Sequence, residues 1–156
     1  MPQDASVELH ILTPDNAKEY FALLDRNRAF FAKFNKLPAD KYPDVESVAR
    51  ALAEPGKKRW GIYRFGLLVG MVSIKPWEKD ANAGEIGYVL DEHASGEGVT
   101  TDAVKQLVML SAKEYSAFVA EADPRNATNI RVLEKSGFTA GGPNEAGEPV
   151  YYLSLR

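Results

Sequence analysis

Three short segments hold the residue types from which a ligand-binding or reactive site can be built. In the first, an apolar run ends at Leu90 and Ser95-Gly96-Glu97-Gly98-Val99-Thr100-Thr101-Asp102 leads into a helical pattern. Glycines let the backbone turn and approach a ligand closely, and the free N–H groups of a helix start attract phosphate. Taken alone, a glycine pair between a strand and a helix is as well explained by a plain turn. In the second segment, Ala122 to Phe138, Asn126 can cap a helix whose Ile130 and Leu133 pack inward, and Gly137 can close it. In the third, Glu85-Ile86-Gly87-Tyr88-Val89-Leu90, strand alternation puts Glu85, Gly87 and Val89 on one face and Ile86, Tyr88 and Leu90 on the other.

Other chemistries find little to work with. The chain has no cysteine, which removes disulfides, thiolate metal sites and a cysteine nucleophile. Its two histidines, His10 and His93, are far apart in sequence, so no metal site is expected. None of the serines lies in a nucleophile-elbow motif. Phe30, Phe31, Phe34 and Trp77 suit core packing better than an acceptor pocket. A net charge of −3 with dispersed charges argues against a broad basic face for nucleic acid and favours a neutral or cationic partner. Met1 to Glu8 lacks a basic region followed by an apolar run, and no later stretch reaches membrane-spanning length. A cytoplasmic location is therefore expected, with no membrane partner.

The elements that must position these segments follow from periodicity. With 156 residues, 45% of them apolar, and no linker or repeat, one domain over 1–156 is expected. Val7 to Leu12 reads as a strand, and Thr13-Pro14 as an N-cap with proline at the first helical position. Ala17, Tyr20, Phe21 and Leu24 then form one helical stripe. Arg26 to Tyr42 reads as a lid-like connection, followed by a short helix over Asp44 to Ala53. Trp60 to Tyr63 and Leu67 to Ile74 form a hairpin about Gly66, and a charged loop over Pro76 to Ala83 leads to the Glu85 strand. Val99 to Glu114 is helical with Ala103, Val104, Leu107, Val108 and Leu110 inward. Ser116 to Ala122 is a strand, Asn126 to Ser136 a helix, and Val150 to Leu155 the last strand. Strands alternating with helices after an initial hairpin give an α/β fold with a mixed sheet.

The order of the Glu85-Ile86-Gly87-Tyr88 strand, the Gly96-x-Gly98 loop, and Asn126 followed by Val132-Leu133-Glu134-Lys135-Ser136-Gly137-Phe138 resembles the GNAT acetyltransferase superfamily, nearest to its RimL-like ribosomal-protein N-terminal acetyltransferases. The opening Thr13-Pro14-Asp15-Asn16-Ala17 and Leu24-Asp25-Arg26-Asn27-Arg28 agree, as do Leu67, Val69 and Gly70 and the end from Val150 to Arg156, so the resemblance covers nearly the whole chain. It implies a single domain with a mixed, mostly antiparallel twisted sheet flanked by helices, its central strands splayed. The partners it implies are acetyl-CoA as co-substrate and a primary amine as acceptor, a protein N-terminus or a small molecule, attacked without a covalent enzyme intermediate. Monomer and homodimer both remain open.

The resemblance also implies roles. The pantetheine arm would lie along Tyr88, Val89 and Leu90 as an added strand. The pyrophosphate would sit on the N–H groups of Ser95, Gly96, Glu97, Gly98, Val99, Thr100 and Thr101. Asn126 would contact the cofactor arm, and a main-chain N–H near Val89 or Leu90 would stabilise the thioester oxyanion. Glu85 matches the family's strand carboxylate that takes the amine's proton, usually through water. An α-amine, with a pKa near 8, asks less of such a base than a lysine at about 10.4.

The chain departs from the family in three places. Ser95 stands where Gln or Arg is common, and Glu97 adds a negative charge worth on the order of 0.5 kcal/mol of repulsion at roughly 8 Å in water. Asn129 and Leu133 stand where a Ser or Tyr proton donor to the departing thiolate is usual. Asn129 can donate a hydrogen bond to the thiolate but not a proton. These departures keep two other readings open: a transferase with a different acyl donor, and a non-catalytic module that binds CoA or has lost it.

Overall fold

The computed structural model describes residues 7–35, 37–94 and 98–155. Seven strands form one sheet in the order β1-β2-β3-β4-β5-β7-β6. They are β1 (Val7–Ile11), β2 (Lys58–Arg64), β3 (Leu67–Trp77), β4 (Asp80–Leu90), β5 (Ala117–Glu121), β6 (Thr139–Pro143) and β7 (Pro149–Ser154). Every neighbouring pair is antiparallel except β4 and β5, which are parallel. The helices are α1 (Ala17–Arg26), α2 (Arg28–Ala32), α3 (Val45–Ala53), α4 (Val99–Ser111) and α5 (Ala127–Lys135). The mixed, mostly antiparallel sheet flanked by helices is the α/β architecture expected from the sequence.

The two sheet faces bury different residues, as alternation requires. Ile86 and Tyr88 of β4 join Val99, Ala103, Val104, Leu107 and Leu133 in one core cluster, which holds α4 and α5 on that face. Val89 and Met71 join Tyr20, Leu23, Leu24, Phe31 and Val48 in a second, which holds α1 to α3 on the other. Leu23 and Val48 are fully buried. Truncating a buried leucine to alanine costs about 2–5 kcal/mol, so these helices are bound to the sheet by packing rather than by propensity.

The caps expected at Thr13 and Asn126 are present, and Asp44 supplies a further one. Thr13 caps a 3-10 turn (Pro14–Asn16) that opens directly into α1. Asp44 caps α3 by accepting from the Ser47 N–H at 2.8 Å. Asn126 caps α5, and Gly137 follows it with φ of 97°. The Arg26–Tyr42 stretch, expected as a lid-like connection, contains α2, and the Arg28 guanidinium braces its later part by donating to the carbonyls of Ala39, Lys41 and Tyr42 at 2.8–2.9 Å.

Three expectations are corrected. Pro76 to Ala83 is not a loop: β3 runs to Trp77 and β4 begins at Asp80, forming a long hairpin. Asp80 to Asn82 are exposed and look loop-like, but Trp77 and Ala83 pack with Val119, Val150 and Tyr152, which extends the strands. Leu110 is 58% exposed rather than inward, since the buried side of α4 runs through Val99, Ala103, Val104 and Leu107 to Ser111. The edge strand β6 went unread because Thr-Ala-Gly-Gly-Pro has no alternation and is exposed throughout. A Cβ at Gly141 would run into the Tyr152 ring, so this edge needs glycine to lie against β7.

Candidate active site

The β4–β5 ladder is short. It covers Ala83 to Glu85 against Ala117 to Val119, and among the described residues it stops at the Glu85–Val119 pair. β4 continues to Leu90 on β3 alone, with Gly70 opposite Leu90. The central strands therefore fork at Glu85, and the β4 edge from Ile86 onward is left without a neighbouring strand on that side. A cleft of about 610 Å3 opens here. Tyr88, Val89 and Leu90 form one wall, Gly98 to Thr101 another, and Asn126 and Asn129 reach in from α5. Every expected cofactor residue that the structure describes is among its lining. Ser95, Gly96 and Glu97 lie outside the described residues.

The start of α4 is built to receive an anion. Gly98 sits at its N-cap with φ of 75° and offers no side chain to cap the helix. The first-turn N–H groups have no acceptor within the helix and lie at the positive end of its dipole. No atom stands within 4 Å of where a Gly98 Cβ would project, so the glycine answers to backbone conformation rather than crowding.

On α5 the two asparagines are held by their carbonyl ends. Asn126 Oδ1 accepts from the Asn129 N–H at 3.1 Å. Asn129, buried, accepts the hydroxyl proton of Tyr88 on its own Oδ1. Burial pushes the Tyr88 hydroxyl well above the usual phenol range, so it stays protonated and donates. With Oδ1 taken in each case, the donor that each asparagine can turn to a ligand is its Nδ2 group. A pantetheine amide carbonyl or a thiolate sulfur, both acceptors, fits such a pair. The sequence reading placed Tyr88 along the cofactor arm and Asn129 at the thiolate; their mutual bond was not foreseen.

Glu85 stands at the fork but not in the cleft lining. Its side chain is 27% exposed and lies 3.9 Å from Lys75 Nζ. Burial raises its pKa, a shift that Lys75 partly offsets and Glu121 reinforces. On its face of β4 the next residue is Gly87, where an added Cβ would meet only Ser73 Oγ at 3.2 Å. The surface beside Glu85 is thus open over Gly87, whereas Val89 beyond it is buried. A second carboxylate, Glu92, does line the cleft, and the sequence reading passed over it. It lies in a short turn beyond β4, and no pattern marked it.

The end of β4 is tied to α1. Asp91, 7% exposed, accepts from Arg26 Nε at 2.8 Å and from the His93 N–H at 2.9 Å. Burial raises its pKa, but the hydrogen bonds from His93, Arg26 and Asn27 together outweigh it and hold the carboxyl below its ordinary range. Asn27 Oδ1 accepts from the Glu92 N–H at 3.1 Å. His93 faces a different depression, with Glu19, Leu67 and Ala94. The aromatic group divides: Phe31, buried in the second core cluster, lines the cleft with Phe30 and Phe34, and Trp77 packs edge-on against Tyr152 at 5.9 Å. Arg125 lies 5.5 Å over the Phe34 ring, so the segment after α2 touches the entry to α5.

Comparison with known proteins places this geometry. The model of the acetyltransferase (GNAT) domain family matches residues 7–139. A probable N-acetyltransferase, YjcK of Bacillus subtilis, is 32% identical over 154 residues, covering 91% of this chain and 85% of the relative. A ribosomal-protein-serine acetyltransferase of Escherichia coli is 25% identical, covering 88% and 81%. Among solved structures, a ribosomal-protein-S5-alanine acetyltransferase from Vibrio fischeri superposes with a TM-score of 0.84 at 18% identity, covering 98% of this chain and 95% of that one. The microcin C7 self-immunity acetyltransferase MccE, solved with acetyl-CoA and AMP, gives 0.83 at 17% identity, covering 97% and 94%.

Proposed function

The chain belongs to the GNAT family of acetyltransferases, acyl-transferring enzymes with acetyl-CoA as co-substrate, and on that footing we propose that it acetylates a primary α-amine, such as a protein N-terminus, in the cleft at the β4–β5 fork. The observation that carries this reading is the fork itself. It leaves one edge of β4 open for an added strand, beside a helix start without a cap, within one cleft. The pantetheine arm pairs with the Tyr88–Leu90 edge, and the pyrophosphate takes the first N–H groups of α4.

In the chemical step the neutral amine nitrogen attacks the thioester carbonyl carbon. The carbonyl oxygen becomes an oxyanion held by a main-chain N–H near Val89 or Leu90. Collapse breaks the C–S bond, and the CoA thiolate leaves toward Asn129 Nδ2, which stabilises it by a hydrogen bond without giving a proton. The amine's proton passes to Glu85. Along the strand Glu85 lies about 7 Å from Gly87 and about 13 Å from Val89, so the proton crosses the open surface over Gly87 through water. The raised pKa of Glu85 brings it nearer to that of an α-amine than an ordinary carboxylate would be.

A specific observation favours a second assignment of the base: Glu92 lines the cleft, whereas Glu85 does not. Glutamine substitution at each position separates the two.

The acceptor class is tested by offering acetyl-CoA with peptides that carry both a free N-terminus and internal lysines, alongside a polyamine. Fragment masses locate the acetyl group. Acetylation of the α-amine in preference to lysine is the expected result. Preferential modification of lysine or of the polyamine overturns the acceptor assignment.

A further inference from the structure

Where β2, β3 and β4 run side by side, the sheet face that carries Glu85 sorts its charges. Lys75 stands directly opposite Glu85, and the β2–β3 register, which pairs Lys58 with Ile74, sets Lys57 opposite Lys75 when carried one residue further. Glu121, two residues beyond the Val119 partner of Glu85, lies on the same face by alternation. Cations thus gather over β2 and β3, and carboxylates over β4 and β5. Arg59, the next cation on this face, is buried and donates to the Ala51 carbonyl at 2.8 Å. Lys75 is exposed, with its Nζ 3.9 Å from Glu85. Lys57 is half-buried and makes no ion pair among the described residues. Burial lowers its pKa, Arg59 and Lys75 add to the fall, and Glu85 opposes it. A partly desolvated cation beside two others is unfavourable unless an anion joins it.

We propose that Lys57 and Lys75 form an anion subsite beside Glu85, so that the preferred acceptor is a peptide N-terminus with an acidic second residue. The proposal rests on the acetyl-transfer reading of the fork and names the acceptor's chemistry there. Neighbouring strands lie about 4.8 Å apart, so the strands of Lys75 and Lys57 stand one and two such spacings, about 5 and 10 Å, from that of Glu85. With the α-amine over β4, an extended chain advances about 3.3–3.6 Å per residue, and a second-residue carboxylate reaches over β3 toward β2. The α-carboxylate of a free amino acid, two bonds from its nitrogen, falls short. Glu85 and Glu121 attract the incoming ammonium, while the peptide's carboxylate draws Lys75 away from Glu85. With less positive charge beside it, Glu85 becomes a stronger base.

The experiment measures kcat/KM with acetyl-CoA and three lysine-free peptides that differ only at the second residue, Glu, Gln or Arg, together with free glutamate. The proteins are the wild type, Lys57→Gln, Lys75→Gln, the double variant and Lys57→Glu, with circular dichroism as the control for folding. The wild type is expected to favour the Glu peptide over the Gln peptide by about tenfold, the lower end for hydrogen bonds to charged groups, and to acetylate free glutamate more slowly than the Glu peptide. Each single Gln variant should shrink the preference, the double variant should abolish it, and Lys57→Glu should turn it toward the Arg peptide. Equal kcat/KM for the three peptides in the wild type, or a preference that survives in the double variant, overturns the subsite while α-amine acetylation still stands. Free glutamate as the better substrate overturns the peptide as the source of the carboxylate. If no α-amine is acetylated, the subsite and the acetyl-transfer reading fall together.

Discussion

A carboxylate held between Lys75 and the parting strands has two measurable consequences. Burial raises the folded-state pKa of Glu85 above its unfolded value. Between those two values the folded chain binds more protons than the unfolded one, so this residue's contribution to stability is present at low pH and is lost as pH rises through the folded pKa. Glu85→Gln should therefore raise the thermal midpoint at neutral pH and leave it nearly unchanged at pH 4. The same substitution removes the base, so acetylation should slow by about one hundred- to ten thousand-fold, with partial rescue at high pH where the amine is already neutral. Glu92→Gln should change the rate little. If Glu92→Gln carries the loss and Glu85→Gln does not, the base is the carboxylate in the cleft. Tyr88→Phe frees the Asn129 amide to rotate, and kcat should fall about fivefold, the worth of one hydrogen bond, with KM for acetyl-CoA hardly moved. A rise in KM at constant kcat would instead make the pair a binding feature. At this scale the order of segments along the chain pointed to Glu85, Tyr88, Asn126 and Asn129, and the fold brings the last three into one cleft, with Glu85 outside its lining. Their partnerships stayed hidden, because the Tyr88–Asn129 bond spans 41 residues and only the folded sheet brings the two together.

Among the elements, the turn into α4 is the most sensitive. Gly98 holds φ of 75°, a conformation costing a non-glycine residue roughly 1–2 kcal/mol, and Asn less than a β-branched residue. The space around it is open, so the strain lies in the backbone. Gly98→Val should lose acetyl-CoA affinity while circular dichroism shows an intact fold, and Gly98→Asn should keep most of it. Equal affinity in all three proteins would separate the helix start from the phosphates. Elements with strong periodicity, α1 and the β2–β3 hairpin, were legible from sequence, and so were the caps at Thr13 and Asn126. What stayed illegible depends on packing at a distance. The β3–β4 hairpin is long because Trp77 and Ala83 find Val119 and Val150, and β6 exists because β7 offers it an edge.

For the molecule as a whole, the two core clusters fix two helical layers on opposite faces of one sheet, and the β4–β5 pairing of that sheet ends at Glu85. In the proposed function the donor enters beside α4 and α5, and the acceptor approaches the other face, which carries Glu85 and Lys75. The proposed reaction requires the acetyl group to cross this fork directly from CoA to an amine. It is tested most directly by a single turnover with acetyl-CoA labelled in the acetyl group and an N-terminal peptide, with product and intact-protein masses followed in time. The label is expected to move to the peptide α-amine as free CoA appears, and the protein mass never to gain it. Label held on the protein, or acetyl-CoA that stays intact with every amine offered, would contradict it.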